Sequence, residues 1–360
     1  MRARLAAFVA ATSFACVSAV ASAEPMDPAL ERLAVDDSCH PNGEWAGDAT
    51  GATVSRPCRA DDASFKRLIS QYAFAFAPTA MHSARTTGYG GFHLSLQADY
   101  TSISSDKDYW KKGTRGSVDP SSGASSKLNG SPSGMLQLYS LQFRKSFGFG
   151  FEVAGLVGFM PKTSIVSGGA DVRFSILEGF RTGIGGVLPD VAVGGGVRTI
   201  TGTPQFQITI ASLDAVVSKP LPLQDSMVLT PYLGYQYLWI FGDSGLIDLT
   251  PGTDALRYCN YAGQNVPGVS TDNGPNTGQP ICKGGSPLDF NNNVVFKPAR
   301  LERHRLLFGL NYRYEMVMVG GQFLVDAVPP ADAQNDDADK KILEGESRQY
   351  TLSFQLGAMF

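Results

Sequence analysis

From Gly91 onward apolar and polar residues alternate with a period of two, the signature of strands whose two faces meet different surroundings. Phe92, Leu94, Leu96, Ala98 and Tyr100 interleave with His93, Ser95, Gln97, Asp99 and Thr101. A second, less regular strand is expected near Met135 to Phe147, and a third on Phe149, Phe151, Val153, Val157 and Phe159. In the fourth, Val166, Ala170, Val172, Phe174 and Ile176 oppose Ser167, Asp171, Arg173 and Ser175. Val191, Val193 and Val197 mark a fifth, rich in Gly where packing inside must be close. The sixth starts on Phe206, Ile208 and Ile210 and then moves its apolar phase to Leu213, Ala215 and Val217, which predicts a β-bulge. Met227, Leu229, Leu233, Tyr235, Tyr237, Trp239 and Phe241 form the seventh. Leu306, Phe308, Leu310, Tyr312 and Tyr314 form the eighth, and Val317, Val319, Phe323 and Val325 the ninth. In the last, Tyr350, Leu352, Phe354, Leu356, Ala358 and Phe360 share a face opposite Thr351, Ser353 and Gln355.

Connection lengths support this count of ten. The three longest, around residues 104–134, 242–300 and 329–347, all fall on one side of the wall, and the short ones near 148, 179–189, 220–226 and 315–316 fall on the other. The mature chain has no apolar run near the roughly 20 residues a membrane helix needs. Lipid cannot satisfy an open sheet edge, so a spanning chain of this kind must close into a transmembrane antiparallel β-barrel. Twelve strands are the alternative, if the alternating stretch Gln71–Phe76 and one other segment join the wall.

Arg2 and Arg4 precede an apolar run from Leu5 to Val20 that ends in Ala21-Ser22-Ala23, so residues 1–23 read as a secretory signal peptide. Cys16 in that run lacks a lipobox before it. Residues 24–90 show no sustained alternation and are expected to form a periplasmic or luminal plug segment, leaving 91–360 for the barrel. Cys39, Cys58, Cys259 and Cys282 fall into two locally close pairs, which in an oxidising compartment predict disulfides Cys39–Cys58 and Cys259–Cys282. With 40 Gly, 13 Tyr and 21 Phe the composition suits strands and loops, and a net charge of −3 gives no electrostatic case for nucleic acid.

The signal peptide, the alternating strands and the C-terminal aromatic together resemble bacterial outer-membrane β-barrel proteins. That resemblance implies residence in the outer membrane of a Gram-negative bacterium, contact with its lipid, and recognition of Tyr350, Leu352, Phe354, Leu356 and Phe360 as an assembly signal by the barrel-assembly machinery. It implies a non-enzymatic barrel, narrow or plugged, acting as a passive, porin-like transporter or a structural surface protein, with no cofactor. A channel of the fatty-acid-transporter kind is a possible relative.

Candidate chemistry lies on the polar face. Asp99, Glu152, Asp171, Arg173, Arg198, Arg303, Arg305, Arg313 and Asp326 are expected to face the lumen. In a narrow barrel such charges pair with one another, whereas in an open one its arginines would favour anions. The competing class is a lipid- or peptide-hydrolysing barrel enzyme. His93 and Ser95 are two apart on one strand face, as a base and a hydroxyl would need to be, yet they oppose the apolar face where lipid substrates lie. His304, between Arg303 and Arg305, offers a protease centre no acidic couple. Asp332–Asp339 lacks calcium-loop spacing and is expected to be a solvated acidic loop tip, and Gly194-Gly195-Gly196 precedes no helix that would hold a phosphate.

Overall fold

A computed structural model describes residues 24–35, 59–117, 128–179, 188–224, 226–249, 259–261, 280–282 and 293–360. Ten antiparallel strands make the wall: β1 Phe92–Ser102, β2 Met135–Ser146, β3 Phe151–Phe159, β4 Val166–Leu177, β5 Asp190–Thr201, β6 Phe206–Ser218, β7 Met227–Ser244, β8 Ala299–Tyr314, β9 Val317–Asp326 and β10 Tyr350–Met359. Each pairs with its neighbour in sequence. β1 pairs with β10, from His93 opposite Met359 to Thr101 opposite Thr351, and closes the barrel. The piece Leu221–Gln224 continues β6 beyond Lys219 and Pro220 along the same edge of β7, so it adds no strand. Closure leaves no unpaired edge.

Outward positions carry the apolar set read from the sequence, with Leu96, Val157, Leu213, Leu233, Phe354 and Leu356 all more than half exposed. Charged side chains on this face occur only near its ends: Lys145 at one, Asp243, Arg300 and Glu302 at the other. Between them the exterior of the described strands is uncharged.

Two expectations about the wall are corrected. β6 has no bulge: its register against β5 and β7 is continuous, and Phe206, Ile208 and Ile210 simply point inward, each 3 % exposed or less. The twelve-strand alternative fails because residues 71–76 belong to a helix, α1 (Asp62–Phe76), that runs inside the barrel. Asp61 caps it by accepting from the Ser64 amide at 3.0 Å, and it stops at Ala77, before Pro78, where the helical conformation is disfavoured. From Leu68 to Phe76 every residue is buried, so no helical stripe of exposed positions marks it, and the Tyr72, Phe74, Phe76 spacing imitates a strand.

The two inward apolar sets meet. Tyr72 lies 5.5 Å from the Phe206 ring and 4.9 Å from Trp110, which belongs to a short helix α2 (Asp108–Gly113) in the β1–β2 connection. Phe65, Leu68, Ile69, Tyr72 and Phe76 join Leu136, Leu138, Ile208, Ile210, Leu238, Ile240 and Leu301 in one cluster. A fully buried side chain of this size contributes about 1.5–3 kcal/mol, so this contact dominates the helix's attachment. The irregularity of β2 has the same origin, since Leu136 and Leu138 face inward against the plug before Ser140, Gln142 and Arg144 restore the polar pattern.

Candidate functional site in the barrel lumen

The lumen is divided into an apolar half at the long-loop end, filled by α1, and a polar half at the short-turn end. Beyond α1, residues 77–91 descend through the polar half to the start of β1. Thr79 accepts from Gln97 at 2.7 Å, the Ala84 amide donates to Ser218 at 3.1 Å, and the Thr87 hydroxyl lies 2.6 Å from that of Ser146.

Of the nine charges expected in the lumen, eight lie within its polar network. Arg303 forms a bidentate pair with Asp326, its Nε 3.0 Å from one carboxylate oxygen and Nη2 2.5 Å from the other, and both side chains are 1 % exposed. The same guanidinium donates to Ser70 of α1 at 2.7 Å and to Gln349 at 3.0 Å. Arg198 grips Asp171 through two bonds of 2.8 and 2.6 Å. Arg173 pairs with Asp214 on β6 at 3.0 Å, so Asp171 and Arg173, adjacent on one strand face, each choose a partner on another strand. Glu152 pairs with Arg144 at 3.5 Å, and Asp99 accepts from Gln97. Arg305 has no carboxylate within bonding distance among the described residues. It donates to Gln236, to the Pro78 carbonyl and, at 3.2 Å, to the Phe74 carbonyl near the end of α1, whose partial negative charge suits a cation. Arg303 and Arg305 also lie 4.8 and 5.1 Å from the centre of the Phe74 ring, a cation–π distance.

Arg313 is the exception. It keeps the inward register but lies exposed at the short-turn rim, where among the described residues it donates to the Met359 sulfur at 3.5 Å. It lines a cavity of about 200 Å³ there, with His82, Arg85, Arg144 and Glu178. Arg144 and Asp214 were missed in the sequence reading, although both sit at alternating positions, between Phe143 and Lys145 and between Leu213 and Ala215.

Glycines make room for this network. A Cβ at Gly196 would lie 1.9 Å from an Asp171 carboxylate oxygen and 3.2 Å from Pro78, so close approach requires Gly on β5.

At the long-loop end the helix is tied to the connections. Lys66 pairs with Asp339 of α3 (Asp337–Ile342), the Arg67 Nε donates to the Ile342 carbonyl at 2.8 Å, and Gln71 donates to Tyr109 at 2.6 Å. Tyr109 in turn donates to Glu346 at 2.6 Å; burial first, and then this bond, pushes its phenol pKa up, so it stays a donor into the alkaline range. In the 332–339 stretch Asp332, Asp336 and Asp337 are exposed, as a solvated acidic tip requires, and Asp339 alone of its four aspartates is buried, against Lys66. No group of acidic, histidine or cysteine residues among the described residues could hold a metal.

His93 and Ser95 face the lumen, both 2 % exposed or less. The His93 Nδ1 accepts from Arg144 at 3.1 Å, which directs that lone pair away from Ser95. His304 faces outward and bonds Tyr235. Tyr350, Leu352, Phe354, Leu356 and Phe360 all face outward. Cys39 and Cys58 lie outside the described residues. Cys259 and Cys282 sit directly opposite one another in a two-stranded ladder, Cys259–Tyr261 against Pro280–Cys282, in the β7–β8 connection.

No family model matches the chain, and no curated protein matches it. Among solved structures it is similar to Ail, the attachment invasion locus protein of Yersinia pestis (8 % identity, 76 % of this chain and all of that one, TM-score 0.25). It is also similar to the outer membrane protein Omp33 of Acinetobacter baumannii (7 %, 75 % and 98 %, TM-score 0.25) and to the translocator domain of the autotransporter NalP from Neisseria meningitidis (11 %, 83 % and 95 %, TM-score 0.27). Scores this low transfer nothing from those proteins. The class, a closed ten-strand barrel of the outer-membrane type, rests on the chain's own strand pairing and apolar exterior.

Proposed function

We propose that this is a non-enzymatic outer-membrane barrel, closed at rest, that presents its long-loop face at the surface of a Gram-negative cell. The uncharged exterior between Lys145 and the Asp243, Arg300, Glu302 end supports the membrane setting, because a charge on the lipid face at mid-depth costs about 2–4 kcal/mol. The long connections then lie outside the cell and the short turns in the periplasm.

The observation that carries the closed state is α1 itself: Phe65, Leu68, Ile69 and Tyr72 are completely buried against inward-facing wall residues. A dry apolar layer offers ions no solvation and bars the path through the loop-end half. Below it, the paired arginines leave no continuous line of free charge that would attract an anion. A transport role would require α1 to move.

Planar-bilayer recording of the purified, refolded protein tests this. Little or no stable conductance is expected, and a large steady conductance would overturn the closed reading.

A further inference from the structure

We propose that the chain threads its own barrel, so that the segment before α1 is carried across the membrane inside the wall and displayed on the cell surface. This rests on the outer-membrane reading above but concerns a different part of the chain. The direction of α1 is fixed at both ends. Its first turns bond the long-loop side: Asp62 accepts from the Lys297 amide at 2.8 Å, and Lys66 pairs with Asp339. Its end meets Arg305 in mid-barrel, and residues 78–91 continue to the short turns, where the Thr86 hydroxyl donates to Glu178 at 2.8 Å and the Thr87 amide to Glu152 at 3.2 Å. The polypeptide therefore crosses the whole lumen once before β1 begins.

What precedes α1 lies at the far mouth. The Met26 amide donates to the Lys162 carbonyl at 3.1 Å, and Asp27 accepts from the Ser164 amide at 2.7 Å, both in the β3–β4 connection. Leu30 donates to Gln205 at 2.5 Å, in the β5–β6 connection, and Pro28 bridges Thr114 beyond α2. Val35 donates to the Arg59 carbonyl at 2.9 Å, so the chain leaves and returns at this mouth. Residues 24–35 thus touch three of the connections at the long-loop mouth, whereas residues 84–91 bond the short-turn rim. An exported chain can reach this arrangement only if its N-terminal part passes up the lumen or the strands close around it. Either way the barrel delivers a segment of itself across the membrane.

The test uses the full-length protein in intact cells, with Cys39, Cys58, Cys259 and Cys282 replaced by Ser and one reporter cysteine added. Val35→Cys reads the N-terminal segment, Asp106→Cys the β1–β2 connection, and Tyr89→Cys the opposite rim; all three positions are exposed. Arg59→Cys replaces Val35→Cys if that variant loses heat-modifiable mobility. With a membrane-impermeant maleimide, labelling is expected at Val35 and Asp106, and at Tyr89 only after lysis. Labelling at Asp106 with silence at Val35 and Arg59 would overturn the threading while leaving the barrel orientation intact. Silence at Asp106 on intact cells would overturn the outer-membrane orientation, and the threading with it.

Discussion

Arg305 on β8 reaches across the lumen to donate to the Phe74 carbonyl at 3.2 Å, while its guanidinium lies 5.1 Å from the centre of the ring of the same residue. One wall side chain thereby holds a helix residue by both backbone and ring. Two residues earlier on the same strand, Arg303 binds Ser70 one helical turn back. The wall and the helix are coupled through these two arginines.

Arg305→Ala is expected to loosen α1 without leaving a carboxylate stranded, since its direct partners are carbonyls and an amide. Bilayer recordings should show brief openings absent from the parent, with a modest fall in thermal stability. Arg303→Ala strips Asp326 of its partner in a dry site and should cost about 3–5 kcal/mol. Equal melting of the two variants would contradict this division of labour.

Gly242 on β7 faces α1, and a Cβ there would lie 2.5 Å from Cγ2 of Ile69. Gly242→Leu should therefore push the helix from the wall while the ladder survives, which would appear as increased conductance with strand circular dichroism unchanged. A barrel equally closed after the substitution would show that α1 is not pressed against β7.

Arg173→Ala and Arg313→Ala should behave differently, although both positions face inward by register. Removing Arg173 leaves Asp214 uncompensated and should lower the midpoint of heat-modified gel mobility. Removing Arg313 at the open rim should leave that midpoint within experimental error. A matching loss in both would place Arg313 in a network the structure does not show.

Cys259 and Cys282 are opposed residues of an antiparallel pair, where Cα atoms lie about 4.5–5.5 Å apart, inside the range a disulfide spans. Cys259→Ser is expected to expose a thiol at Cys282 that alkylates without reductant in denatured protein. A parent in which both already alkylate without reductant would show the pair to be unoxidised.

Deletion of Phe360 should spare export and reduce membrane insertion. The residue is bound to Phe92 in both directions, amide to carbonyl at 2.7 Å and carbonyl to amide at 2.9 Å. Unchanged yield in the outer-membrane fraction would remove its role in assembly.

The strands were legible because a closed wall imposes period two wherever lipid lies on one side and polar groups on the other. Where the inner neighbour is apolar that rule breaks, and Phe206, Ile208 and Ile210 then imitate a shift of face. The same apolar neighbour hid α1: Tyr72 and Phe76, one turn apart, face the apolar cluster, but Phe74 on another side is buried too, against Arg303 and Arg305, so the three together imitate a strand. The pairing of charges was predictable in kind, because buried charges need partners, but not in detail. Asp171 sits beside Arg173 in sequence and binds Arg198, since which strands adjoin and how far each side chain reaches decide the match.

The mutual bonds between Phe92 and Phe360 also constrain how synthesis ends in a closed wall. Until β1 arrives, the β10 edge is open and can be held by any other strand offering the same ladder. Once Phe92 takes both backbone groups of Phe360, and the register from His93 to Thr101 follows, that temporary partner has nothing left to grip.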